Sequence, residues 1–199
     1  MKIVTYSAGI GFDKYGKRYE PKGDLDFFFD HIDGGTKFKD DVMSAKMFKV
    51  LPHKLFSYNY IDWTIWVDSN VILKVDPEFL VNKIPSNKEV GVFPHWDRDC
   101  LYEEAKVCID EGLDSYSRIM PQIMEYKHEG FPRRAGLGMC FLIARKHTDR
   151  VAQLNEKWWA EICMGSIRDQ ISFPYVFRDS VHYFPRVNGN DCEYFKRIV

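Results

Sequence analysis

The most informative stretch for chemistry is Trp63-Thr-Ile-Trp-Val-Asp-Ser-Asn70, an apolar run that ends abruptly in an acid, a small residue and an amide. Asp68 and Asn70 present hard oxygen atoms that could face one divalent cation, Mg²⁺ or Mn²⁺, and such an ion would neutralise a departing diphosphate. The same pair also suits an Asx-turn after a buried strand. Upstream, Lys46 and Lys49 stand three apart, so on a helix they share a face; that face either grips phosphates or is solvated. His53, after Pro52, is equally open.

A second group, His95, Asp97, Arg98, Asp99, Glu103 and Glu104, falls where a strand-like run gives way to a helical one. His95 and Arg98 are candidates for a sugar or acceptor pocket. Asp97 or Asp99 suits a helix cap, and the glutamates suit a first helical turn. In the third group, Gly165-Ser-Ile-Arg-Asp-Gln170, Ser166 and Asp169 have the spacing of a helix cap with an acid behind it. That arrangement also sets Asp169 at a helix N-terminus, where a carboxylate can approach a reacting sugar. His182 lies alone in the late run Val181-His-Tyr-Phe-Pro185, as a metal ligand or an ordinary strand side chain.

These residues need a scaffold that collects strand ends. Lys2 to Ser7, Leu25 to Asp30, Trp63 to Asp68, Val90 to His95 and Met139 to Ala144 read as strands, several of them apolar on successive residues and hence covered on both faces. Helical stretches alternate with them: one after Asp40, one capped by Asp76 with Pro77 at its first position, then Cys100 to Gly112, Asp114 to Lys127 and Asp149 to Cys163. Pro121 makes the fourth either kinked or two pieces. The alternation predicts an α/β fold with a mostly parallel central sheet flanked by helices, and ligands of such sheets bind at the carboxyl ends of the strands. The length of 199 residues favours a single domain over 1–199.

Composition narrows the partners. With 28 basic and 29 acidic residues the net charge is -1, which gives no field for nucleic acid, so any phosphate binding is local. Five scattered cysteines without a C-x-x-C pair argue against a zinc site or disulfide framework and fit a reducing compartment. No stretch approaches the ~20 apolar residues of a membrane span. The glycines form neither a dinucleotide fingerprint nor a P-loop, and no Gly-x-Ser-x-Gly elbow occurs.

Ser44-Ala-Lys-Met-Phe-Lys-Val-Leu-Pro-His53, Ile65-Trp-Val-Asp-Ser-Asn70, Asp76-Pro77, His95-x-x-Arg98-x-x-x-Tyr-Glu-Glu-Ala105, Trp158-Trp-x-Glu161 and Arg168-Asp-Gln-x-Ser-Phe173 together resemble the glycosyltransferase-like family typified by plant pectin and mucilage biosynthesis proteins. The blocks span about residues 40 to 178. The resemblance implies a GT-A (Rossmann-like) fold and a metal-dependent glycosyltransferase. It would use a nucleotide-sugar donor, a UDP-sugar first, and Mn²⁺ or Mg²⁺ held at the strand end that carries Asp68. Its acceptor would be a glycan or protein-linked glycan.

By similarity, Tyr6, Ser7 and Ala8 with the acids near Asp30 and Asp33 would flank base and ribose. Lys49 would lie close to the diphosphate and Asp169 would face the reacting sugar; Lys46, Asp68, Ser69 and Asn70 join Lys49 as candidate cofactor-binding residues, and His95 and Arg98 join Asp169 as candidate catalytic residues. Asp68, Asn70 and His182 would be the metal ligands. In GT-A enzymes the acidic strand-end motif is commonly Asp-x-Asp, whereas this chain has Asn70 at the third position. A bare domain of this kind fits a viral or microbial enzyme acting in the cytoplasm, the host's if viral. The alternative is a catalytically inactive module that binds a sugar nucleotide or glycan; a pyrophosphorylase ranks lower because no early Arg or Lys stands in Ser7-Ala-Gly-Ile-Gly-Phe-Asp13.

Overall fold

A computed structural model describes residues 1–10, 17–30, 40–57 and 60–198. Its central sheet has six strands in the order β2-β1-β3-β6-β5-β7. They are β1 (Ile3–Ala8), β2 (Phe27–Phe29), β3 (Trp63–Val67), β5 (Val90–Pro94), β6 (Gly138–Lys146) and β7 (Val181–Tyr183). The pairs β1–β2, β1–β3 and β5–β7 are parallel, while β6 is antiparallel to both neighbours, β3 and β5. Five strands therefore point one way and β6 alone opposes them. The carboxyl ends of β1, β3 and β5, followed by Gly9, Asp68 and His95, meet along one edge with the amino end of β6.

Helices cover the sheet where the sequence places caps. In α1 (Asp41–Val50) the Asp40 carboxylate accepts from the Val42 N–H at 2.8 Å, and in α3 (Pro77–Asn82) Asp76 accepts from Glu78 at 2.7 Å. Thr148 caps α6 (Asp149–Met164) through the Val151 N–H. The short α2 (Pro52–Leu55) follows α1, and α4 (Leu101–Asp110) precedes α5 (Tyr116–His128), which runs through Pro121 as one helix. Cys100 is the N-cap of α4 and makes no side-chain cap bond, so neither Asp97 nor Asp99 caps it as expected.

On one face of the sheet Val4, Tyr6, Trp66 and Ile143 pack with Phe48 of α1 and Trp158 of α6. Phe173 and Phe177 belong to the same cluster and come from α7 (Asp169–Phe177), whose residues are nearly all buried. The opposite face buries Ile65, Val67 and Leu142 against Leu80 and Phe195. Phe195 comes from β8 (Phe195–Arg197), which pairs antiparallel with β4 (Val71–Leu73) in a two-stranded sheet. Leu101, Cys108 and Tyr126 join Ile171 in a third cluster, so α7 is wedged between two cores. This wedge carries its first residue, Asp169, to the sheet's carboxyl edge.

Candidate functional site

At that edge a cavity of about 580 Å³ opens, a size suited to a small-molecule ligand. Its walls are Ala8 to Ile10 at the end of β1, Arg18 to Glu20 and Lys22 of the following loop, one face of α1, Trp66, and Asp68 to Asn70. Gly9 is required here: a Cβ on it would lie 2.3 Å from Tyr19 Cβ and 2.9 Å from Phe28. Its absence lets the Tyr19 loop fold over the strand end. Lys22 N–H donates to the Ser69 carbonyl at 2.9 Å, tying that loop to the acidic corner.

The helical spacing of Lys46 and Lys49 brings both ammonium groups to Asp169, at 2.9 and 2.7 Å. Lys49 also reaches Asp68 Oδ1 at 3.3 Å, and the Trp66 indole N–H donates to the same oxygen at 2.6 Å. Burial alone would raise the Asp169 pKa, but the two lysines outweigh it and hold the carboxyl well below the usual carboxylate range. Burial pulls Lys49 down, yet Asp169 and then Asp68 carry it above the ordinary lysine value. For Lys46 burial wins, and its pKa is lowered.

The lysines are aimed from below by Arg145, fully buried on β6. Its guanidinium donates to the carbonyls of Val50 (3.3 Å) and Lys49, to Asn155 Oδ1 at 3.1 Å and to the Tyr6 hydroxyl at 2.7 Å. A cation there satisfies the last carbonyls of α1 and complements the helix dipole. Tyr6 O–H in turn donates to the Lys49 carbonyl at 3.1 Å, and burial pushes the phenol up to about 12. Tyr6 and Ser7 are thus fully buried and do not line the cavity, whereas Ala8, Lys46, Lys49, Asp68, Ser69 and Asn70 do.

Asp169 owes its place to the loop before α7. Asp114 Oδ2 accepts from Ser166 Oγ at 2.7 Å and from the Ile167 N–H at 2.8 Å, and Ser166 Oγ accepts from Arg168 N–H at 3.1 Å. The expected Ser166 helix cap is corrected accordingly: Arg168 is the N-cap of α7, and Ser166 makes a turn just ahead of it.

His95 and Arg98 form a separate group beyond β6. The backbone N–H groups of Asp97 and Arg98 both donate to His95 Nδ1 at 3.1 Å, so in the neutral ring the proton sits on Nε2. The 3.1 Å approach of Arg98 Nη2 to that nitrogen is therefore a close contact rather than a hydrogen bond. Burial, then the Arg98 charge, holds His95 below its ordinary pKa. Arg98 Nε donates to the buried carboxylate of Glu104 at 2.7 Å.

The expected metal ligands do not converge. His182 sits on edge strand β7 opposite Gly91, its ring against Phe184 at 5.5 Å. With β6 and β5 between β7 and β3, it is three strand spacings, roughly 14 Å, from the Asp68 strand. Asn70 donates its amide N–H to the Ile198 carbonyl at 3.1 Å. Asp68 Oδ1 already faces an ammonium and an indole N–H, and a dication on it would sit beside Lys49 at a repulsion of several kcal/mol. Among the described residues no three of His, Cys, Asp and Glu gather as a cation site. The described side chains do not fit the cation that the resemblance implies.

His53 pairs with Glu156 at 3.0 Å. Asp30 is exposed just after β2, and Asp33 lies outside the described residues. Sequence reasoning missed Arg145, the Trp66 indole and Asp114. Only Arg145 had a signal, the first of two adjacent cations that end the apolar run Met139-Cys-Phe-Leu-Ile-Ala144.

A family profile described as TOD1/MUCI70, glycosyltransferase-like domain, matches residues 34–196. No curated protein matches. Among solved structures, the chain is similar to a glycosyltransferase involved in the glycosylation of the major capsid of PBCV-1, at 11% identity over 92% of this chain and 82% of that one, with a TM-score of 0.46. It is also similar to the apo structure of the bifunctional glycosyltransferase WbbM, at 15% identity over 80% of this chain and 28% of that one, with a TM-score of 0.51. At such identity the WbbM likeness concerns the fold alone.

Proposed function

Because the chain belongs to the TOD1/MUCI70 glycosyltransferase-like family, we propose that its cleft binds a nucleotide-diphosphate sugar, a UDP-sugar first, and passes the sugar to a hydroxyl of a glycan or protein-linked glycan. One observation carries this reading: the cavity at the carboxyl edge of the sheet is walled by two lysines that share one helix face and one carboxylate. Ammonium groups there suit a diphosphate, and the Tyr19 ring on the same wall suits a base.

Transfer breaks the bond between the anomeric carbon and the diphosphate oxygen, leaving the electron pair on that oxygen. The acceptor oxygen takes its place on the carbon, and its proton passes to the departing diphosphate. Fixed positive charge beside the leaving oxygen lowers the barrier because the charge it meets grows in the transition state. Asp169 holds that charge in place. Arg98, steadied by Glu104 and His95, offers a cation on the acceptor side. His95 directs its Nδ1 to backbone N–H groups and so positions the loop rather than accepting the acceptor's proton.

The test is release of free sugar and nucleotide from UDP-glucose, UDP-galactose, UDP-N-acetylglucosamine and GDP-mannose, with Asp169→Asn alongside. Turnover of one donor that falls at least ~100-fold in the variant is expected. Nucleotide binding without turnover of any donor would replace the enzyme by the binding module.

A further inference from the structure

We infer that Lys46 and Lys49 hold the donor's diphosphate without a divalent cation, and that Asp68 serves as a positioning acid for Lys49 rather than as a metal ligand. This inference rests on the nucleotide-sugar reading of the cleft. It begins with the cavity wall, where Arg18, Lys22, Lys46 and Lys49 stand with Glu20, Asp41 and Asp68 while Asp169 backs the two helix lysines, four cations and four carboxylates among the described residues. Both carboxylates of the corner, Asp68 and Asp169, already have an ammonium against them before any ion is added. The two lysines nearest the acidic corner are nearly buried, with side chains 17% and 7% exposed, so their charges are weakly screened.

Their placement is over-determined. Lys49 is drawn by Asp169 from one side and Asp68 from the other, its backbone carbonyl is held by Arg145 and Tyr6, and its ammonium lies 5.7 Å from the Trp66 ring centre. Trp66 in turn fixes Asp68 through its indole N–H. A strand-end carboxylate used for a metal would turn its oxygens outward to open space. Here one oxygen faces a fixed ammonium, Asn70 adds no charge, and the neighbouring carboxylate, Asp169, gives one oxygen to each lysine. The corner presents cations to an incoming anion, with the carboxylates behind and beside them.

The opposite signs of two substitutions make the inference testable. A metal ligand lost from Asp68 weakens diphosphate binding, whereas a positioning acid removed from beside an ammonium strengthens it, because one negative charge no longer competes for Lys49. The experiment titrates the purified full chain with UDP, GDP and inorganic pyrophosphate by calorimetry, once in EDTA and once with Mn²⁺. Lys46→Ala and Asp68→Asn are titrated in parallel, with circular dichroism as the check on folding.

The expected result is nucleotide binding that agrees within about twofold between EDTA and Mn²⁺, is weakened at least tenfold by Lys46→Ala, and is tightened a few-fold by Asp68→Asn. Tightening of tenfold or more by Mn²⁺, or loss of binding in folded Asp68→Asn, overturns the inference and leaves the nucleotide-sugar reading standing. No binding of any probe under either condition overturns that reading and the inference with it.

Discussion

Arg145 is a guanidinium whose hydrogen-bond partners among the described residues are neutral oxygens: two helix-end carbonyls, an amide and a phenol. Hydrogen bonds to a charged group are worth roughly 1.5–3 kcal/mol each, and truncation leaves buried acceptors without donors. Arg145→Met is therefore expected to destabilise the fold by about 3 kcal/mol or more, a fall in Tm of roughly 6–12 °C for a chain of this size. A thermal melt that moves by less than about 2 °C would show the guanidinium to be dispensable. Single residues were only partly legible in the sequence. The spacing of Lys46 and Lys49 predicts their common face, because helix geometry is local. The partner they share, Asp169, stands 120 residues further on, and no pattern in the chain announces which acid will close such a group.

Helix α7 shows how an element can deliver a side chain that its own capping chemistry does not explain. Its start is held by Asp114, far upstream at the entry to α5, through one hydroxyl and one backbone N–H. Asp114→Ala removes both acceptor contacts at once. Stability should fall by about 1–3 kcal/mol, and donor turnover should fall several-fold as Asp169 loses its fixed distance from the lysines. A drop in Tm with unchanged turnover would separate the loop from the site. Local signals did find most elements: the acids at Asp40 and Asp76, with Pro77, mark true helix starts because a cap is made within three residues. The direction of β6 was not legible, since a strand buried on both faces has the same composition whichever way it runs.

For the molecule as a whole, charge and acidity set the working range. Burial holds His147 at about 4, below its ordinary 6.5, and also lowers His53 and His95. A histidine depressed in the folded state carries no penalty above 6.5. The penalty then grows as pH falls toward 4, because the unfolded chain takes up the proton first. Asp169, depressed by its lysines, adds loss in the same direction below 3.8. The Tm should be flat above pH 7 and fall steeply between pH 6.5 and 4. His147→Gln should flatten part of that slope, on the order of 1–2 kcal/mol after discounting for solvent screening of a partly exposed ring. A wild-type profile that is level down to pH 4 would contradict this burial. At this scale the sequence was most informative: alternating apolar runs and helical stretches imply the layered α/β sheet that the strand order shows.

The pairing of β4 with β8 places Ile198 against Asn70, with hydrogen bonds in both directions across 128 residues of sequence. A ribosome meets these partners at widely separated times. The acidic corner is translated first, and the strand that braces its rim emerges only after the sheet, the lysine helix and α7 have been made. A nascent chain can thus assemble its core around Arg145 while the rim is still unbraced, and the cleft acquires its final edge only after α7 has been made.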